Sequence, residues 1–102
     1  SASVTDILRA HPRPEYWSGI EVRRWLEAIE LDVYAPTFEA AGVEGSDLIK
    51  LDADGLKRRL GVASLGHRTK LMQNIAILSS RASQSYKREE LSKDSAMKRK
   101  HV

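Results

Sequence analysis

Residues 17–29 read "WSGIEVRRWLEAI". Ser18, followed three residues later by Glu21, is the pattern of a capping box, in which two side chains satisfy the free N–H groups of a helix start. Trp17 before the cap and Val22 at the fourth helical position add the matching hydrophobic staple. Val22, Trp25, Leu26 and Ile29 then recur at i, i+3, i+4 and i+7, a single apolar stripe of helical period. The stretch predicts an amphipathic helix over residues 19–29, with two tryptophans committed to whatever packs against it.

The pattern stays helical on the C-terminal side. After "ELD" a second helix is expected near Val33, with Tyr34, Phe38 and Ala41 on one face. Pro36 belongs in its first turn, where a missing N–H costs least, and Gly42 is a suitable stop. "GSDLIKL" (45–51) reads as a short helical piece capped by Ser46, and "DADGLKRRLG" (52–61) as another, capped by Asp52 and ended by Gly61. A last helix starts at Ser64. Leu65, Arg68, Leu71, Met72, Ile75 and Leu78 share a side of it, and the period holds to about residue 82. On the N-terminal side, "SVTDILRA" (3–10) predicts a short helix capped by Ser3, and "HPRP" breaks it, because a residue before proline is pushed out of the helical region. No strand pattern occurs.

Composition sets the outer bounds. The chain has 102 residues, one domain in length, with 41% apolar and 30% charged residues. It has no cysteine, which excludes disulfides, thiolate zinc sites and cysteine nucleophiles and fits an intracellular, cytoplasmic setting. No apolar run approaches the roughly 20 residues of a membrane span. The net charge of +3 hides an uneven distribution. Residues 21–56 carry nine acids against three bases, whereas residues 57–82 carry six bases and no acid. Residues 83–102 add six bases and three acids with a single Leu and a single Met, which predicts a basic, mostly disordered tail.

The order and spacing of these residues resemble the sterile alpha motif (SAM) domain. The likeness is carried by Trp17 before the first cap, Val22-x-x-Trp25-Leu26, and Leu31, Tyr34 and Phe38. It continues through Gly45-x-x-Leu48 with Leu51, then Leu56, the Leu60-Gly61-Val62 turn, and Gly66-His67-Arg68 leading into Leu71 and Ile75. The resemblance implies an all-α, five-helix bundle with a long C-terminal helix. It places an N-terminal extension at 1–15, the SAM domain at 16–82 and the tail at 83–102. It also implies a non-enzymatic protein–protein interaction module of a signalling or scaffold protein, associating with another SAM domain, its own copy or a different one.

Two surfaces are implied for that association. The middle of the domain offers Glu39, Glu44, Asp47 and Asp54; the start of the last helix offers Leu65, Gly66, His67, Arg68 and Lys70. The second group is unusual in physical terms. A helix start is the positive end of the macrodipole and disfavours cations, so an anion outside the helix is expected opposite Arg68 and Lys70. Gly66, lacking a Cβ, would let a second backbone come close. The alternative anion is an RNA stem-loop, because Leu65-Gly66-His67-Arg68 also resembles the RNA-contacting element of the Smaug-like members. The acids of residues 21–56 argue against it by repelling phosphate. His11, His67 and His101 have no metal-ligand spacing, and no nucleophile–base pair, glycine-rich phosphate loop or carboxylate dyad is present. No cofactor, metal or small-molecule substrate is therefore expected.

Overall fold

The computed structural model describes the backbone of residues 3–101 and the side chains of residues 3–83. Within them, six α-helices follow one another: α1 (Val4–Ala10), α2 (Gly19–Ala28), α3 (Ala35–Ala40), α4 (Gly45–Leu48), α5 (Ala53–Arg58) and α6 (Leu65–His101). Two 3-10 turns, Pro14–Tyr16 and Asp32–Tyr34, precede α2 and α3. Strands are absent among the described residues. The five elements α2–α6 form the expected bundle with its long last helix, and α1 is an additional helix packed against α2. The expected tail at 83–102 falls, from residue 84 on, outside the residues whose side chains are described.

The predicted stripe is the centre of the core. Val22, Trp25 and Leu26 of α2 are buried together with Phe38, Leu48, Leu56, Leu71, Ile75 and Leu78. Ile7 and Leu8 of α1 join the same cluster. The Trp17 indole N–H donates to the His11 carbonyl at 2.9 Å, which fastens the segment between α1 and α2. Leu65 departs from the predicted stripe. It is 70% exposed, in the first turn of α6, whereas Leu71 and Ile75 further along the helix are buried.

Helix starts differ from expectation in two places. The Ser18 hydroxyl caps no backbone N–H of α2; it donates to the Glu21 carboxylate instead. That bond favours the charged carboxylate and holds the Glu21 carboxyl below its ordinary value. At α4 the cap is Glu44 rather than Ser46. Glu44 and Asp47 form a reciprocal capping box, with the Asp47 carboxylate accepting from the Glu44 N–H at 3.1 Å. The helix begins at Gly45, so Ser46 lies inside its first turn and the residue before Gly45 holds the cap position. Asp52 caps α5 as expected, accepting from the Gly55 N–H at 2.7 Å.

The ends of α2, α3 and α5 are closed by left-handed residues. Gly42 and Gly61 have φ of +68° and +64°, as a glycine stop requires. The end of α2 has no glycine. Glu30 itself takes φ +61°, and the Leu31 N–H reaches back to the Leu26 carbonyl at 2.8 Å. A side chain in this region costs about 1 kcal/mol or more relative to glycine. Glu30→Gly should therefore raise stability by about 1 kcal/mol and the melting temperature by roughly 4–8 °C. A calorimetric melt no higher than wild type would show that the Glu30 side chain makes a compensating contribution.

Candidate interaction surface

The start of α6 gathers the residues expected there, and the fold accounts for part of their charge. Ser64 caps the helix, its hydroxyl accepting from the His67 N–H at 3.2 Å. The Arg68 side chain turns back along the preceding loop. Its Nη1 donates to the Val62 carbonyl at 2.8 Å and the Ala63 carbonyl at 2.9 Å. A cation at a helix start thus has an internal reason here: it satisfies two loop carbonyls, and charge-assisted bonds of this kind are the stronger class. The rest of the guanidinium finds no hydrogen-bond partner among the described residues. Lys70 is half-buried and has no ion pair among them.

His67 has a partner that spacing could not reveal. Its Nδ1 lies 2.6 Å from the hydroxyl of Tyr34, a residue 33 positions earlier, and the two rings meet edge to face at 5.5 Å. The half-buried Tyr34 therefore braces the first turn of α6 from the side of the Asp32–Tyr34 turn. Leu65 and Gly66 are exposed. A Cβ at Gly66 would meet only the Ser64 hydroxyl, at 3.8 Å, so the helix start is open to approach from outside. Together these residues form an exposed leucine, an open glycine and a basic flank, all held on a rigid helix.

The middle group is spread more widely. Glu39 lies on α3, Glu44 and Asp47 at the start of α4, and Asp54 on α5, all exposed. Three of the four have internal partners. Glu44 and Asp47 cap α4, and Asp54 forms an i,i+4 pair with Arg58 at 3.0 Å. Asp47 also shares a depression with Lys50 and Arg59. The α4–α5 face is consequently mixed in charge rather than uniformly acidic. A different acidic region lies beside α2 and α3, where Glu27, Asp32 and Glu39 line one depression together with Arg23. Sequence reading missed Glu27 and Asp32 as site candidates because the packing of α3 against α2, not chain order, brings them beside Glu39.

Among the described residues there is no group of His, Asp and Glu side chains that could hold a metal ion. No described helix is long and apolar enough to cross a membrane. The sequence profile of the SAM domain, or sterile alpha motif, matches residues 14–79. This chain belongs to the sterile alpha motif family. Curated relatives are signalling proteins. The chain is 38% identical over 66 residues to diacylglycerol kinase eta of Drosophila sechellia, a match that covers 65% of this chain and 3% of the kinase. It is 36% identical over 66 residues to ephrin type-A receptor 6 of Mus musculus and to the same receptor of Homo sapiens; each match covers 64% of this chain and 6% of the receptor. The SAM domain thus spans only a few per cent of the length of the relatives it matches. SAM domains are in general non-catalytic protein–protein interaction modules, and that is the class in which this chain falls.

Proposed function

We propose that this SAM domain binds another SAM domain, of its own kind or of a partner, through the start of α6. The single observation that carries the reading is Leu65, 70% exposed at the tip of a helix and flanked by His67, Arg68 and Lys70. A leucine is presented to solvent, and its basic neighbours are suited to carboxylates. The apolar contact would supply the centre of the interface, and the charges its rim, where they act mainly on association rate and partner choice. Exposed pairs contribute only about 0–1 kcal/mol each, so affinity is modest and falls with salt. The domain would serve as a connecting element of a signalling or scaffold protein inside the cell, without catalytic work of its own.

Chemical-shift mapping tests this. The labelled chain is titrated with unlabelled chain, with the SAM regions of the kinase and the receptor named above, and with a small pool of RNA hairpins. A SAM domain should shift resonances of residues 64–70, and Leu65→Asp should abolish the effect. Lys70→Glu should weaken binding several-fold; it is the cleaner charge probe, because Arg68→Glu also breaks the two loop bonds. Tight, loop-sequence-dependent hairpin binding at physiological salt would overturn the proposal in favour of RNA, whose contacts carry a salt slope set by the phosphates engaged.

A further inference from the structure

We infer that α1 is the built-in occupant of a helix-binding seat on α2, and that a partner helix with the same apolar pattern can displace it. The seat uses none of the residues assigned to the α6 surface and does not depend on that reading. The core closes without α1. Its most completely buried side chains, among them Trp25, Phe38, Leu48, Leu56 and Leu71, all lie between residues 14 and 78. Ile7 and Leu8 join the cluster without reaching that depth, at 4% and 6% exposure. The SAM profile likewise starts after α1, at residue 14. Pro12 and Pro14 interrupt the connection, so α1 and α2 cannot merge into one helix. An element attached to a finished core through a few side chains opens at a lower free energy than the core itself. With seven residues, α1 does not hold a helix in water once it leaves.

What the seat accepts is written in α1, which packs against α2. Val4, half-buried, and Ile7 and Leu8, buried, stand at i, i+3 and i+4, while Thr5, Asp6 and Arg9 are exposed. This is the anchor pattern of an amphipathic helix laid in a groove. The polar end of the seat is the Trp17 indole N–H, which donates to the His11 carbonyl at 2.9 Å. His11 is the C-cap of α1, and its carbonyl is one of the acceptors that a helix end leaves without an intrahelical partner. Every helix brings such a carbonyl, so the indole fixes where the bound helix ends, and the apolar triplet selects which helix fits. The capping box of α1, Ser3 with Asp6, is internal to the helix and makes no demand on the seat. The fitting partner is thus a short amphipathic helix with aliphatic residues at those three positions. Its rival is α1 itself, tethered at an effective concentration on the order of a millimolar.

Two measurements on the full chain test this. In the wild type, amide exchange over residues 7–11 should be roughly a hundredfold or more faster than at Trp25, because α1 opens without the bundle. A synthetic peptide of residues 3–12 is then titrated onto the full chain carrying both Ile7→Asp and Leu8→Asp, which empties the seat. That variant should keep a cooperative melt. The peptide should shift its Trp17 indole resonance and bind with a Kd of roughly 10 µM to 1 mM, the range of a weak helix contact. A peptide with the same two aspartates should not bind. The wild-type chain should take up the native peptide at least about tenfold more weakly, since its own α1 fills the seat. Exchange in α1 as slow as at Trp25, or a variant that no longer folds, would make α1 an inseparable part of the core and overturn the inference. A folded variant that leaves the peptide unbound overturns it as well. Equal binding by variant and wild type places the peptide elsewhere on the domain, and the seat is then rejected.

Discussion

Trp25→Ala is expected to lower stability by about 3–5 kcal/mol, the range for removing a large aromatic from a packed core. Trp25 has no solvent exposure, and the core it belongs to draws on helices from α1 to α6, including Ile7 and Leu8 of α1. A domain of about a hundred residues buries a smaller share of its surface than a larger one and has little stability in reserve. At about 4–8 °C per kcal/mol, the melting temperature should fall by roughly 15 °C or more. Trp25→Phe makes the argument specific. The indole N–H is buried and meets no acceptor among the described residues. Replacing it with phenylalanine loses no hydrogen bond and should cost only about 1–2 kcal/mol for the space left. Equal losses for Phe and Ala in a thermal melt would mean that the indole N–H matters more than the packing.

Local signals made the helices legible. The Trp17–Ile29 stretch predicts α2 because caps and stripe lie within a dozen residues and each needs only its neighbours. Asp52, Gly42 and Gly61 are local in the same sense. Glu30 was not legible: a left-handed helix end normally announces itself by glycine or asparagine, and here a glutamate is held in place by the turn into Leu31. The exchange of Ser46 for Glu44 as the cap of α4 turned on where the helix begins, one residue before Ser46, which residue type alone does not settle.

The candidate site divides along the same line. Leu65 to Lys70 were adjacent in sequence and remain adjacent on α6. What sequence could not supply were contacts between distant segments: Tyr34 on His67, and Glu27 and Asp32 beside Glu39. Nor could charge counting show that Arg68 turns back onto two loop carbonyls. An excess of acids over residues 21–56 is a property of the segment; the surface they form depends on which of them cap helices and which pair with a neighbour one turn away.

The same substitution should have opposite signs at two glycines of this chain. Gly45 opens α4, and its N–H donates to the Trp17 carbonyl at 2.8 Å. A Cβ there would overlap the Pro14 carbonyl and come within 2.8 Å of the Trp17 Cβ and 2.9 Å of its N. Pro14 and Trp17 are themselves buried, and the obstructing atoms are largely backbone, which no change of rotamer can move aside. Gly45→Ala must therefore push α4 away from the Pro14–Tyr16 turn and stretch the bond to Trp17. Overpacking of this kind costs about 1–3 kcal/mol where side chains can adjust and more where they cannot, so a loss of about 3 kcal/mol or above is expected. Gly66 is the counterpart. It lies in the first turn of α6, and a Cβ added there would have only the Ser64 hydroxyl near it, at 3.8 Å. Alanine is favoured over glycine in a helix by up to about 1 kcal/mol. Gly66→Ala should raise the melting temperature slightly while weakening association by narrowing the approach to α6. Thermal melts of the two variants, read beside their sedimentation, separate a glycine required by the fold from one required by the contact. A Gly45→Ala chain that melts like wild type would mean that α4 can withdraw from Trp17 at no cost, and the close packing of these two segments would lose its role in holding the bundle together.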